Sequence, residues 1–510
     1  MASIQRGQQA IARVIGSTTL PKTPSYLARK ISTVTHQQTP FTNPPPGILP
    51  ERTTVPPASP ARSVPTTPPT PQLTTPESST ESENEFWRSI PLWKDVSMED
   101  FASWRWGVKN LVETSRNNNK LLEFLDSVLP DHVPRNKALG GLQSRDEFMG
   151  DVISGIRESS MSVRIMPYVL GRVNWKDPAN DPIFRQFVPL RSAMVKDHPM
   201  LTLDSLHEQE DSPVDGIVHR YPDKALFLPV SVCPTYCIFC TRSYGIGPNT
   251  EEVTKHHFKL SLDRLEKSFA YIESQPGLHD IVVSGGDAFY LPPHILELIG
   301  ERLISMKNIE RFRFASKGLA VAPHRFLDNN DPWTDTLIRV SDKAKKAGKH
   351  MALHTHFNHP NEISWITEKA SLRLLQSGVT VRNQTVLLRG VNDDAETMLD
   401  LIKRLAKMAI QPYYVYQCDM VPKVEHLRTP LQTILDIESQ IQGTIAGFYM
   451  PKFVVDLPGG GGKRLASLRE SYDRKTGVST FTQPALTGKG KDGKVYEYYD
   501  PVDAQSSGPQ

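Results

Sequence analysis

From Ala225 onward the chain alternates short β-rich runs with longer segments whose apolar residues recur every three or four positions. The β-rich runs are Ala225–Val232, Asp280–Ser284, Arg311–Ser316, His350–Phe357, Val379–Leu388 and Pro412–Cys418. Between them, Leu262–Glu273 and Pro292–Met306 carry the spacing of amphipathic helices. Strands alternating with helices in this way predict an α/β fold around a parallel sheet, either a partial (β/α) barrel or a doubly wound sheet. In both, the side chains that perform chemistry belong at the carboxyl ends of the strands.

Upstream the pattern differs. Trp87, Leu92, Trp93, Phe101, Trp104 and Trp106 crowd together, with Asp95 or Ser97 suited to cap the helix that follows. A helical N-terminal domain is predicted over 86–215, interrupted by loops such as DPANDP at 177–182. Residues 1–50 contain no Asp or Glu, while Arg6, Arg13, Lys22, Arg29 and Lys30 stand among Ala, Ile, Val and Ser. That is the composition of a mitochondrial transit peptide; the alternative is a basic tail with no address, which leaves the protein cytoplasmic. From Pro40 to Pro76 the residues are mostly Pro, Thr and Ser, too poor in apolar side chains to fold. The predicted organisation is a basic and Pro/Thr/Ser-rich extension over 1–85, the helical domain over 86–215 and a barrel core over 216–425. A C-terminal segment over 426–485 and a polar tail over 486–510 complete it.

Charge adds little: 59 Lys and Arg against 56 Asp and Glu leave +3, too small to argue for a nucleic-acid groove or a polybasic membrane patch. No run of about 18 apolar residues occurs, so no segment is expected to span a bilayer. Small-molecule partners fit this balance best.

Cysteine changes the picture more. Of four cysteines, Cys233, Cys237 and Cys240 form a Cys-x3-Cys-x2-Cys run directly after the first strand, which points to metal before disulfide. Three thiolates can hold three irons of a 4Fe-4S cluster and leave the fourth iron open for chemistry. Zinc is the competing reading, but a structural zinc site wants four ligands. Three unligated cysteines are the bland alternative. Tyr236 and Phe239 between the thiols would shield a cluster from water. Further on, Ser284, Gly285, Gly286 and Asp287 end the second strand, a weak signal that alone reads as a turn. In DLPGGGGKRL, 456–465, four glycines precede Lys463. This is not a phosphate-binding P-loop, because Leu457 stands where its first glycine belongs and Arg464 where its Ser or Thr belongs. A lysine on such a loop is either a surface residue after a flexible turn or one placed to reach the aldehyde of pyridoxal phosphate.

Taken together, these motifs resemble a known family. The cysteine run, with an aromatic residue before its last cysteine, resembles the signature of the radical S-adenosylmethionine superfamily, and Ser284–Asp287 looks like that superfamily's glycine-rich strand. HRYPDK (219–224), CTR (240–242), SGGDA (284–288), HFNHPNEI (356–363), NQTVLLRGVND (383–393), PYYVYQCD (412–419) and FVVDLPGGGGK (453–463) together resemble the lysine 2,3-aminomutase family. LWKDV at 92–96 and DSPVDG at 211–216 extend the likeness upstream, and the match runs from about residue 86 to about residue 480.

The resemblance implies a partial (β/α)6 barrel of the TIM-like type behind a helical N-terminal domain. It also implies the interconversion of L-lysine and L-β-lysine by a 2,3-amino migration. Alternatives are the same chemistry on another basic amino acid or on protein-bound lysine, or an iron-sulfur protein without turnover. The implied cofactors are a 4Fe-4S cluster on Cys233, Cys237 and Cys240, S-adenosylmethionine on Ser284–Asp287 and Gln384, and pyridoxal phosphate on Lys463. Arg220, Tyr221 and Tyr416 match contacts to the pyridoxal group or its phosphate, and Lys224 replaces a family arginine, keeping the charge but losing the fork. Arg242 matches the arginine that forks onto the substrate carboxylate, and Asp419 and Asp456 match the carboxylates that receive the side-chain ammonium. His354, His356 and His359 are read as positioning residues rather than a metal trio, and Cys418 as a packed strand residue. Where the family often has a basic run after the cluster, Ser243 and Tyr244 stand here, which leaves fine substrate positioning open. The chain lacks the C-terminal cysteines of bacterial members, so a structural zinc is predicted absent. Partners implied are L-lysine, an electron-donating reductase or ferredoxin, and a second copy of the chain.

Overall fold

In a computed structural model, which describes residues 84–114, 117–486, 491 and 493–505, the β-rich runs form neighbouring strands of one sheet. The basic segment and the Pro/Thr/Ser-rich linker lie outside the described residues. The strands are β1 (Ile217–Val218), β2 (Lys224–Val230), β3 (Asp280–Gly285), β4 (Arg311–Ala315), β5 (His350–Thr355), β6 (Thr380–Leu387), β7 (Gln411–Gln417), β8 (Lys452–Leu457) and β9 (Gly462–Leu465). Their spatial order is their sequence order, β9 at one edge and β1 at the other. Strands β2 to β8 pair in parallel, and the edge strands β1 and β9 pair antiparallel to their neighbours. A doubly wound sheet would reverse its order at a switch point. This one never reverses, so it curls as an open half-barrel.

Parallel neighbours need crossovers, and six helices supply them. These are α1 (Leu262–Glu273), α2 (Pro293–Ser305), α3 (Trp333–Lys346), α4 (Trp365–Gln376), α5 (Ala395–Lys407) and α6 (Leu431–Ile441). Each buries one stripe; in α5 it is Met398, Leu401, Ile402 and Leu405. Ser261, Ser364 and Asp394 cap the starts of α1, α4 and α5 by accepting backbone N–H bonds, each worth about 1 kcal/mol. Covered on the outside by helices, β2 reads as a nearly continuous apolar run rather than an alternating one. Strand β8 is a seventh parallel strand beyond the six runs of the sequence pattern.

The segment 86–215 differs from an all-helical layer. Helices Asn119–Val128 and Arg145–Arg157 alternate with short turns and with two small ladders, Val112–Glu113 on Arg164–Ile165 and His132–Pro134 on Leu142–Ser144. Prolines at 91, 134, 167, 178 and 182 keep its helices short, since proline starts a helix but does not continue one. Of the two cap candidates, Ser97 caps Met98–Phe101 by accepting from the Asp100 N–H at 3.1 Å. Trp87 stacks on Phe101, centroids 4.2 Å apart, and both belong to one hydrophobic core that continues through the sheet interior to Ile410. The N-terminal segment therefore braces the barrel instead of standing apart from it.

Beyond β9 the chain forms a three-stranded antiparallel sheet, β10 (Ser471–Asp473), β11 (Val478–Thr482) and β12 (Val495–Tyr499). Its last strand uses the YEYY patch of the tail with a period of two: Tyr496 and Tyr498 are buried, Val495 and Glu497 exposed.

Candidate active site

The carboxyl ends of the strands open into one cavity of ≈ 330 Å³. All three cysteines of the run line it, as do Ser284 to Asp287, Gln384, Arg242, Asp419, Asp456, Lys463, Arg220, Tyr221, Lys224 and Tyr416. His354 and His356 reach it as well, whereas His359 instead caps Pro360–Glu362 by accepting from the Asn361 N–H at 3.0 Å.

After β2 the chain crosses the sheet end as a loop tied to the N-terminal segment. The Tyr236 N–H donates to the Arg164 carbonyl at 2.9 Å, and the Ile238 N–H to that of Gln186 at 3.0 Å. Tyr236, Ile238 and Phe239 are buried, which leaves the thiols of Cys233, Cys237 and Cys240 facing the cavity. Burial pushes the Cys237 thiol up to about 12, with Cys240 acting in the same sense and Lys317 opposing. Burial also raises Cys233 well above the usual thiol range, reinforced by Asp287 and by the two other thiols. Three mutually repelling thiolates in a desolvated place need a strongly cationic guest to stay ionised. Among the described residues, no group of three or more His, Cys, Asp or Glu is arranged to hold a metal ion. Three cysteine thiols lining one cavity are a donor set that fits three irons of a polynuclear centre.

The glycines beside them are forced by close packing. A Cβ on Gly285, whose φ is +93°, would lie 2.4 Å from the Val230 carbonyl oxygen, and one on Gly286 2.5 Å from that of Val232. Asp287 then uses both carboxylate oxygens on backbone N–H groups, Phe289 at 2.8 Å and Lys317 at 2.8 Å, stapling the ends of β3 and β4. Beside it Lys317 forms a buried ion pair with Glu362 at 2.9 Å and donates to the His356 carbonyl at 2.8 Å.

Asp456 and Lys463, which also line the cavity, are cross-strand partners in the β8–β9 hairpin. The Lys463 ammonium meets Asp456 Oδ2 at 2.5 Å and lies 5.5 Å from the Tyr416 ring centroid. Burial works to discharge this amine, but the Asp456 carboxylate and the Tyr416 and Tyr221 phenols more than offset it, so its pKa lies above the usual lysine range. The Lys463 N–H donates to the Tyr221 hydroxyl at 2.7 Å, and Gln483 donates to its carbonyl at 2.5 Å. Gly462 is required here, because a Cβ would lie 2.4 Å from the Tyr221 oxygen. Lys224 sits over the Tyr221 ring at 4.1 Å, its pKa lowered by burial and by the neighbouring Lys463 charge. Arg220 is held by Asp211 at 2.7 Å and by the Leu206 carbonyl. Arg242 donates through Nη2 to Glu208 at 2.7 Å, and Thr241 donates to Asp419.

Glu208, Thr241, Lys317 and Glu362 were not singled out from the sequence. Their side-chain partners in the cavity wall lie far along the chain, Glu208 to Arg242 at 34 positions, Lys317 to Glu362 at 45 and Thr241 to Asp419 at 178, although Glu362 also accepts the N–H groups of the nearby Asn358 and His359. No local spacing marks such pairs.

An open α/β half-barrel that gathers three thiols, a glycine-rich strand end and a buried lysine hairpin into one cavity defines an enzyme of cofactor chemistry rather than a binding scaffold. The comparisons narrow it. The chain is 35% identical over 428 residues to L-lysine 2,3-aminomutase of Clostridium subterminale, covering 80% of this chain and 93% of that one. It is 34% identical over 381 residues to L-lysine 2,3-aminomutase of Bacillus subtilis, covering 74% and 71%. Against glutamate 2,3-aminomutase of Clostridioides difficile the figures are 30% over 299 residues, 59% and 66%. No family model matches. Among solved structures, SuiB of Streptococcus suis bound to S-adenosylmethionine aligns with a TM-score of 0.33 and 11% identity, over 46% of this chain and 51% of that one. The chain belongs to the lysine 2,3-aminomutase family, and it is an isomerase.

Proposed function

We propose that the enzyme interconverts L-lysine and L-β-lysine, using a 4Fe-4S cluster, S-adenosylmethionine and pyridoxal phosphate. One observation carries the substrate reading. The cavity holds a buried acceptor without a partner, Asp456 Oδ1, and a buried donor without a partner, Arg242 Nε. Buried polar groups are almost always paired, so such a couple points to a ligand with a carboxylate at one end and an ammonium at the other. Asp419 adds a second carboxylate facing the ammonium end. Two carboxylates would repel the side chain of glutamate, and an unpaired buried charge costs several kcal/mol, which favours a diamino acid.

The donor sets fit the cofactors. Cys233, Cys237 and Cys240 would hold three irons, and Ser284 to Asp287 with Gln384 would receive S-adenosylmethionine. Lys463 would attach pyridoxal phosphate through its amine, with Arg220, Tyr221 and Lys224 toward the phosphate and Tyr416 against the ring. When bound, S-adenosylmethionine on the cluster supplies a hydrogen-abstracting radical, and pyridoxal phosphate supplies the π-system across which the amino group moves. The protein's own part is charge placement. Were the Lys463 amine engaged by a cofactor, the substrate ammonium would take its place as the close counter-charge of Asp456, with Arg220 as the second positive neighbour. Electrons for the cluster would come from a reductase or ferredoxin, and residues 1–50 would direct the chain to mitochondria.

The test is anaerobic incubation of the reconstituted protein with both small cofactors, dithionite and single amino acids, followed by chromatography. β-Lysine from L-lysine, with no product from L-glutamate, is the expected result; product from glutamate alone would sink the substrate reading.

A pH dependence follows. Burial, reinforced by the Asp456 carboxylate and opposed by the Thr241 hydroxyl bond, pushes Asp419 up to about 7. Below that pH the group is neutral and above it charged, while the lysine ε-ammonium stays charged to about pH 10. Lysine binding should therefore tighten about tenfold between pH 6 and pH 8, as one proton leaves Asp419. Asp419→Asn should flatten that part of the profile; an unchanged slope would exclude Asp419 as its source.

A further inference from the structure

Arg242 is the cavity's donor to a carboxylate in the reading above, yet nothing in its own loop aims it. The loop 204–211, which contributes Leu206 and Glu208 to the cavity lining, does. The Asp204 carboxylate accepts the N–H groups of Glu208 and Gln209, each at 2.9 Å, closing a tight turn in which His207 takes a left-handed φ of 51°. The turn is fixed to the glycine-rich hairpin by the Gly459 N–H donating to the Ser205 carbonyl at 2.9 Å. It delivers Glu208, 2% exposed, into the cavity wall. Both carboxylate oxygens are then committed: Oε1 to Arg242 Nη2 at 2.7 Å, Oε2 to the Tyr244 hydroxyl at 2.9 Å.

The hydrogen-bonded consequence falls on Arg242, while the Glu208 charge also reaches Arg220 and Asp419. A free arginine side chain samples many rotamers, and a fork onto a carboxylate works only in one plane. One nitrogen of this guanidinium is pinned, while Nε stays buried and unpartnered at the cavity. Burial disfavours the charge, but the Glu208 carboxylate keeps the guanidinium protonated beyond question. Tyr244, which stands where a basic residue was expected, serves the same end by fixing the second oxygen of Glu208. The same loop treats the other cavity arginine alike, since Asp211 and the Leu206 carbonyl hold Arg220.

We propose that Glu208, locked by Tyr244, is the positioning residue for the carboxylate end of the substrate: it turns Arg242 so that its open donors face an α-carboxylate. This rests on the reading that Arg242 binds that group. The test compares the affinities of L-lysine and L-lysinamide, which keeps both amines and lacks the carboxylate, for the protein loaded with its cofactors. Glu208→Gln should weaken lysine binding by about tenfold or more, the scale of a lost charge-assisted bond, and change lysinamide binding less than about twofold. Tyr244→Phe should shift the lysine-to-lysinamide ratio the same way by a smaller factor. Equal weakening of both ligands, or an unchanged ratio in both variants, would overturn the proposal. If Glu208→Gln fails to fold, Tyr244→Phe decides alone, since it keeps the ring and its packing. Arg242→Lys separates the two claims: if wild-type preference for lysine survives in that variant, the role of Arg242 itself is wrong, whatever Glu208 does.

Discussion

Lys463→Ala is expected to lose at least about 10³-fold in β-lysine formation, equivalent to about 4 kcal/mol of transition-state stabilisation, and to lose the visible absorbance of tightly held pyridoxal phosphate. Two distinct effects meet in this residue. Among the described residues its amine is the only lysine nitrogen close to both Asp456 and the Tyr416 ring face, so no described neighbour would take its place in attaching the cofactor. Its charge also balances Asp456, which is 6% exposed and keeps one oxygen unpartnered even in the free protein. Alanine would remove the paired counter-ion of a buried carboxylate and leave the Arg220 guanidinium as its remaining positive neighbour, a loss of up to about 3–5 kcal/mol where a pair is broken from one side. Lys463→Arg separates the effects: arginine can restore the ion pair but cannot attach an aldehyde. The expected pattern is a thermal midpoint lowered in Lys463→Ala and largely recovered in Lys463→Arg, with both variants inactive. Activity in either would show that Lys463 is a structural partner of Asp456 and no more.

The same pair shows what the sequence could convey. The β-rich runs were readable in two ways: β2 and β3 are dense apolar runs between turn signals, while β4 and β6 alternate buried and half-buried residues with a period of two. Strand β8 was hidden inside the motif FVVDLPGGGGK, where the glycines drew attention to the loop and away from Lys452–Leu457 as a partner of β7. The cross-strand register of Asp456 on Lys463 follows from a hairpin whose turn is the glycines, yet the sequence reading assigned the two residues to different ligands. Their direct contact at 2.5 Å in the free protein appears only in three dimensions. The tail was opaque for another reason: YEYY alternates correctly for a strand, but a lone five-residue run with no visible partner carries no topology. Its place beside β11, with the Tyr498 hydroxyl on the Cys418 carbonyl at 3.0 Å, depends on a contact 80 positions away. Motifs thus reported which residues matter but not what aims them: Glu208 comes from a loop with no signature, and Asp211 and Glu362 fall inside DSPVDG and HFNHPNEI, motifs that do not name their partners Arg220 and Lys317.

Cys237→Ala should abolish the iron and sulfide content of the reconstituted protein, S-adenosylmethionine cleavage and β-lysine formation together, with activity at least about 10³-fold down. The argument is electrostatic before it is a matter of ligand count. In the bare cavity burial holds the Cys237 thiol up at about 12, so at neutral pH it is a thiol, and only bonds to iron can make it a thiolate there. Removing one of three such ligands leaves two thiols whose ionisation is opposed by burial and by each other, with less metal to repay it. Cys418→Ala is the matched control. That thiol is also pushed up to about 12 by burial, but it packs among Ile238, Phe239, Leu388 and Val391, away from the cavity. Its loss should cost about 1 kcal/mol of stability from the small void and leave iron content unchanged. If Cys418→Ala lost iron as Cys237→Ala does, the cluster would need a fourth protein thiolate. The open iron on which S-adenosylmethionine chemistry depends would then be gone, and the protein would be an electron carrier in the frame of an aminomutase.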